Sequence, residues 1–112
     1  MNMNITQEQI MKNLGIKQSF LDIIQKRAKV LRAKANLIKD NDQLDIYIKK
    51  FFDVSRNYDE KSQQPYDPEL KNMELVEKKQ FLCELVVELA NMDFVFFIKT
   101  RKDPKLSCGF FE

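Results

Sequence analysis

The chain has 112 residues, which is enough for one domain with a modest hydrophobic core. Hydrophobic residues make up 44% and charged residues 32%, typical of a globular protein, and only two glycines and three prolines argue against a turn-rich all-β fold. The net charge of +2 is unevenly distributed: residues 1–39 carry eight Lys and Arg against two acidic residues, and the remainder carries eleven against fifteen. This split indicates either an anionic partner for the first third or attraction between the two parts.

A short helix is predicted over residues 6–14, followed at once by a second helix. Thr6 is a suitable N-cap with Gln9 three residues on, and Gly15 permits a left-handed turn before the next helix starts near Lys17. The pattern is carried by Met11, Gly15, Ile16, Leu21 and Ile24. With these spacings the stretch LGIKQS resembles the turn of the helix-turn-helix in bacterial and phage repressors, of the Cro type.

The resemblance implies a DNA-reading surface at the front of the second helix. Lys17, Gln18 and Ser19 would lie there, with Gln18 contacting a base edge. Five cations follow that could bind phosphates: Lys26, Arg27, Lys29, Arg32 and Lys34. The alternatives are a short N-terminal helix folded back on a long one and a solvated basic face that forms salt bridges to the acidic part of the chain.

The second helix is predicted over residues 17–39, with two apolar stripes at helical spacing. The first stripe consists of Phe20, Ile24, Ala28, Leu31, Ala35 and Ile38. The second consists of Ile23, Val30 and Leu37, each seven residues from the next. Two stripes on one helix favour a homodimer or a subunit of a larger assembly.

A third helix is predicted over residues 42–56, after a break at residues 40–42. Its inner face is formed by Leu44, Ile48, Phe51 and Ser55, and Phe52 is expected outside it. Residues 57–67 are polar and irregular, which predicts a loop with Tyr58 and Tyr66 holding its ends.

A central helix is predicted over residues 68–91, with Asp67 as its cap and Pro68 in its first turn. One face is formed by Leu75, Leu82, Leu85, Val86 and Leu89. A second apolar face is formed by Val76, Cys83, Val87 and Ala90. A helix with this much apolar surface is either central to its domain or partly covered by a partner.

Residues 93–111 are predicted to form a short C-terminal β-hairpin. Residues 93–100 are rich in aromatic and β-branched side chains, residues 101–105 are turn-like, and residues 106–111 are apolar again. The alternative extends the central helix through Ile98. In both cases the many aromatic side chains favour a protein contact.

Catalysis and metal binding are not expected. Without histidine the usual general base is missing, and Cys83 and Cys108 form no CxxC pair for zinc. We therefore predict no catalytic residue, no metal site, no cofactor and no small-molecule ligand. Both thiols are expected to be free in the cytoplasm, and no run of roughly 20 apolar residues suggests a membrane span.

The sequence thus predicts a single, mainly α domain over residues 1–112, with about four helices and the C-terminal hairpin. The first functional hypothesis is a non-catalytic regulatory or adaptor protein, oligomeric or bound to a protein partner. Its predicted interface consists of Val76, Cys83, Val87, Phe96, Phe97, Phe110 and Phe111. The alternative is a small DNA-binding transcriptional regulator that uses the helix-turn-helix.

Overall fold

A computed structural model describes residues 7–15, 18–102, 107 and 109–111. These residues form an all-α domain, 76% helical and without a strand. The five helices are α1 (Gln7–Leu14), α2 (Gln18–Leu37), α3 (Asn41–Ser55), α4 (Asp67–Asn72) and α5 (Leu75–Thr100). The mainly α prediction is confirmed, and the first three helices lie within two residues of their predicted bounds.

Helix α5 is the centre of the domain, with α2 and α3 packed against it and α1 packed on α2. Leu21 and Ile24, near the start of α2, pack with Phe94 near the end of α5. Asn36, near the end of α2, accepts a hydrogen bond from the Cys83 thiol at 3.3 Å. Helices α2 and α5 therefore run antiparallel. The larger core cluster joins α2, α3, α4 and α5, and Leu44, Ile48, Leu82, Val86 and Leu89 are fully buried in it.

The turn between α1 and α2 contains Gly15 in the left-handed conformation predicted for it, with φ of 69°. Its amide donates to the Lys12 carbonyl at 3.3 Å, which ends the first helix. The predicted cap Thr6 and the turn residues Ile16 and Lys17 lie outside the described residues.

Helix α3 begins as its sequence indicates. The Asp40 side chain accepts a hydrogen bond from the Asp42 amide at 2.9 Å, satisfying one of the free amides of the first turn. All four residues of the predicted inner face are buried. Phe52 lies outside this buried face, as predicted, but its ring is half-buried and meets Phe51 edge to face, with centroids 5.1 Å apart.

The predicted continuous helix over residues 68–91 is wrong at its start. Met73 and Glu74 are extended, with ψ of 135° and 159°, and separate α4 from α5. The bend lets Leu70 reach the core while Met73 packs against it. Asp67 does not cap α4, whose N-cap is Tyr66; it forms an ion pair with Lys49 at 2.8 Å. This contact lowers the pKa of Asp67, mainly through the hydrogen bond from Lys49.

The predicted C-terminal hairpin is also wrong, because residues 93–100 continue α5 as a helix. Phe94 is buried against α2, and Phe97 stacks on Phe20 with ring centroids 3.7 Å apart. Helix α5 ends at Arg101, which has φ of 60° and donates its amide to the Phe97 carbonyl at 2.7 Å. The alternative of an extended central helix was therefore the correct one, and the helix runs two residues past Ile98.

The described residues after α5 return to the core. Phe110 is buried, with its ring 5.8 Å from that of Tyr47, and Phe111 lies 4.9 Å from the same ring on a half-buried site. Lys34 of α2 reaches over Phe111 at 6.0 Å. The segment thus lies between α2 and α3, where it covers core residues of both.

Candidate interaction surface

Helix α2 has one face in the core and a second apolar stripe in solvent. Leu21, Ile24, Leu31 and Ala35 are buried against α5 and the core. Ile23, Val30 and Leu37 are 47%, 50% and 78% exposed. Residues seven apart lie almost in line on a helix, so these three side chains form one strip about 21 Å long. We call these three residues the α2 strip.

Cationic side chains lie on both sides of the α2 strip. Lys26 is three residues after Ile23 and four before Val30, on one flank, and Lys34 is four residues after Val30, on the other. Both lysines are exposed, as are Lys29 and Arg32 farther round the helix. In the part of the chain that the structure describes, none of these four forms an ion pair.

A shallow groove of about 280 Å³ adjoins the strip, between α2 and the C-terminal segment. Its apolar walls come from Ile23, Val30, Leu31 and Phe111, and Lys34 lies at its edge. The groove widens the apolar surface beyond the three strip residues. A ligand lying along α2 could place side chains in it.

A buried polar cluster fixes the C-terminal segment beside the groove. Asp93 is fully buried and accepts hydrogen bonds from the Tyr58 hydroxyl, at 2.6 Å, and from the Ser107 hydroxyl. Burial raises the pKa of Tyr58 well above its usual value, and the hydrogen bond to Asp93 raises it further. The cluster ties the loop after α3 and the segment after α5 to one carboxylate.

A second buried charge supports the core from the α3 side. Lys78 is only 1% exposed, and its Nζ lies 2.7 Å from Oδ1 of Asp45. A buried ammonium without a partner is very costly, so this pair ties α3 to α5. The sequence analysis assigned no role to Lys78, and its burial is visible only in the structure.

The structure does not bring the predicted interface residues into one surface. Val76 is exposed near the start of α5, whereas Cys83 and Val87 are half-buried beside α2. The four aromatic members are engaged within the domain: Phe96 faces Tyr58, Phe97 stacks on Phe20, Phe111 contacts Tyr47, and Phe110 is buried in the core. Phe110 is therefore excluded as a contact residue in this conformation.

The predicted DNA-binding residues lie along α2, apart from Lys17, which is outside the described residues. Gln18 and Ser19 are exposed at the front of the helix, and the Gln18 amide donates to Asp22 at 3.4 Å. Lys26, Lys29, Arg32 and Lys34 are exposed, and Arg27 is half-buried. They are spread round the exposed half of α2, with the α2 strip running between Lys26 and Lys34.

The α2 strip is the feature that the predicted interface omitted. Its spacing of seven was visible in the sequence, but the larger aromatic content of residues 93–111 was the more prominent apolar signal. Only the structure shows that the aromatics have partners in the domain, whereas the three aliphatic residues are exposed.

The described residues were compared with the requirements of a metal site, a reactive thiol and a membrane span. They contain no group of three side chains suited to hold a metal ion. Burial raises the pKa of the Cys83 thiol, which disfavours the reactive thiolate. Cys108 lies outside the described residues. Among the helices of the described residues, we find no segment with both the length and the hydropathy of a membrane span.

Comparison with known proteins gives no family for the chain. No protein-family model, no curated protein sequence and no solved structure matches it.

Proposed function

We propose that this chain is a non-catalytic interaction protein that binds a helix of another molecule along the α2 strip. The observation that carries the proposal is the exposure of Ile23, Val30 and Leu37 in one line on a helix whose opposite face is buried. Aliphatic side chains at regular intervals along one line of a helix can anchor an amphipathic helix, which presents apolar residues at matching intervals.

The size of the strip sets what a partner must cover. Burying the exposed part of three aliphatic side chains contributes roughly 1 kcal/mol each. Micromolar binding requires about 8 kcal/mol, so the strip alone is insufficient. A partner must therefore also use the adjoining groove beside Phe111 and the polar flanks.

The test is selection of binders from a displayed library of randomised amphipathic helices, followed by affinity measurements on two variants. Val30→Glu places a charge in the middle of the strip and should weaken selected binders by about tenfold or more. Val95→Glu is the matched control, since Val95 is similarly exposed, at 47%, but lies on α5. Its effect should stay within about twofold.

Circular dichroism must show that both variants keep the helical content of the parent chain. Binders that bind Val30→Glu as tightly as the parent would contradict the proposal, as would a library that yields no binder.

DNA binding through α1 and α2 is the second candidate function. The left-handed turn at Gly15 and the exposed Gln18 and Ser19 support it. The α2 strip argues against it, because three aliphatic side chains run along the middle of the face that would meet phosphates. Micromolar binding of a mixed-sequence duplex, steeply weakened by salt and by Arg32→Ala, would replace the leading proposal.

A further inference from the structure

The flanks of the α2 strip identify the chemistry of its partner. Lys26 and Lys34 border the strip on opposite sides, and Lys29 follows one flank. Within the described residues no carboxylate pairs with any of them. The nearest acidic residue on the exposed face of α2 is Asp22, at the first turn, where it accepts from Gln18. Val30, the centre of the strip, is thus bordered by positive charge that no carboxylate of the described residues neutralises.

This charge pattern disfavours a second copy of α2 as the occupant. Because cationic side chains lie on both flanks of the strip, an antiparallel pair and a parallel pair would each place lysines of both copies along the edges of the shared contact. Both arrangements place like charges beside an apolar contact, which is destabilising.

We infer that the strip binds an acidic amphipathic helix, a conclusion that rests on the proposed function. Such a helix carries aliphatic residues spaced to meet Ile23, Val30 and Leu37, with Glu or Asp on both flanks to meet Lys26 and Lys34. To follow the whole strip it needs about 15 residues in helical conformation. The charges select the partner and its orientation, and the aliphatic contacts supply the affinity.

A pair of designed peptides of about 18 residues tests this inference. Both carry the same leucine and isoleucine positions, and their flanks are all Glu in the acidic peptide and all Lys in the basic one. A third peptide has the composition of the acidic peptide in scrambled order. Fluorescence anisotropy should show the acidic peptide binding about tenfold more tightly than the basic one. The scrambled peptide should not bind.

Charge reversal supplies the decisive comparison. Lys26→Glu with Lys34→Glu should reverse the preference, so that the basic peptide binds more tightly. The matched control is Lys61→Glu with Lys71→Glu, which changes the net charge equally at exposed lysines away from α2. That control should keep the preference for the acidic peptide.

The possible failures are distinguishable. Equal binding of the acidic and basic peptides, lost in Val30→Glu, would overturn the acidic partner and leave the docking surface intact. Analytical ultracentrifugation could instead show that the parent chain self-associates and that Val30→Glu abolishes this. That result would also overturn the acidic partner and leave the docking surface intact. Binding to vesicles of phosphatidylglycerol but to neither peptide would overturn the inference in favour of an anionic lipid surface. An absence of binding to peptides, library helices and vesicles would overturn both proposals.

Discussion

At the residue scale, the pair of Lys78 and Asp45 is the ion pair with the most deeply buried cation among the described residues. Asp45→Asn keeps the shape of the side chain but leaves the buried ammonium without its counter-charge. We expect this change to lower the free energy of unfolding by about 3 kcal/mol, measured by chemical denaturation.

A surface pair provides the control for that measurement. Asp53 lies 3.5 Å from Arg56, both side chains are about half exposed or more, and Asp53→Asn should cost under about 0.5 kcal/mol. Similar losses in the two variants would show that the buried position of Lys78 carries no special cost. Replacing both partners, as Asp45→Leu with Lys78→Met, should recover much of the stability.

Tyr58 is expected to make the stability of the domain depend on pH in the alkaline range. Its pKa in the folded chain lies above the usual value of about 10, so the folded state holds the phenolic proton more tightly than the unfolded state. The associated stability is complete below the unfolded pKa and is lost as the pH rises beyond about 10.

Tyr58→Phe should therefore make the fall in stability above about pH 10 shallower, as measured by denaturation at a series of pH values. The variant also loses the hydrogen bond to Asp93, so its stability at neutral pH should be lower than that of the parent. Tyr66→Phe is the control, because Tyr66 is 76% exposed and its loss should leave the alkaline slope unchanged. Equal slopes for the parent and Tyr58→Phe would contradict this account.

At the element scale, the sequence predicted those helix bounds and faces that are set by residues close together in the chain. Asp40 marked the start of α3, Gly15 marked the end of α1, and the spacing of Ile24, Leu31 and Ala35 gave the buried face of α2. Each of these signals acts within a few residues. The prediction of helix bounds succeeded where short-range chemistry sets the end of a helix.

The two incorrect predictions, the C-terminal hairpin and the continuous helix from residue 68, concern segments whose structure depends on contacts with residues distant in sequence. Residues 93–100 have the aromatic and β-branched composition of a strand, but as a helix they place Phe94 against Leu21 and Phe97 against Phe20. The break between α4 and α5 likewise lacks a capping side chain at Glu74, and it is explained by the burial of Leu70. Tertiary packing outweighed local preference in both cases, so sequence alone could not place the aromatic residues inside the domain.

The segment after α5 is expected to stabilise the domain through one side chain. Phe110→Ala should lower the free energy of unfolding by about 4 kcal/mol, because Phe110 is 1% exposed among core residues. Phe111→Ala removes a ring of equal size from a half-buried site and should cost less than half as much. Thermal or chemical denaturation of both variants is the measurement, and equal losses would contradict the packing described for the segment.

At the scale of the whole molecule, the positive charge of the first third lies largely on the exposed side of α2. The basic first third contains α2, and its exposed lysines beside the strip are not neutralised by the acidic part of the described chain. The expected salt bridges between the two parts are absent for Lys26, Lys29, Arg32 and Lys34 among the described residues. This charge on α2 is the basis of our proposal that the strip binds an acidic helix.

The antiparallel packing of α2 on α5 also has a consequence for biosynthesis. Leu21 and Ile24 cannot be buried against Phe94 until Phe94 has been synthesised, about 70 residues later in translation. At about 5–20 residues per second, the ribosome synthesises Phe94 roughly 4–14 s after it has synthesised Leu21 and Ile24. During that interval the face of α2 that α5 later covers is exposed together with the α2 strip, so the nascent chain has more exposed apolar surface than the folded domain.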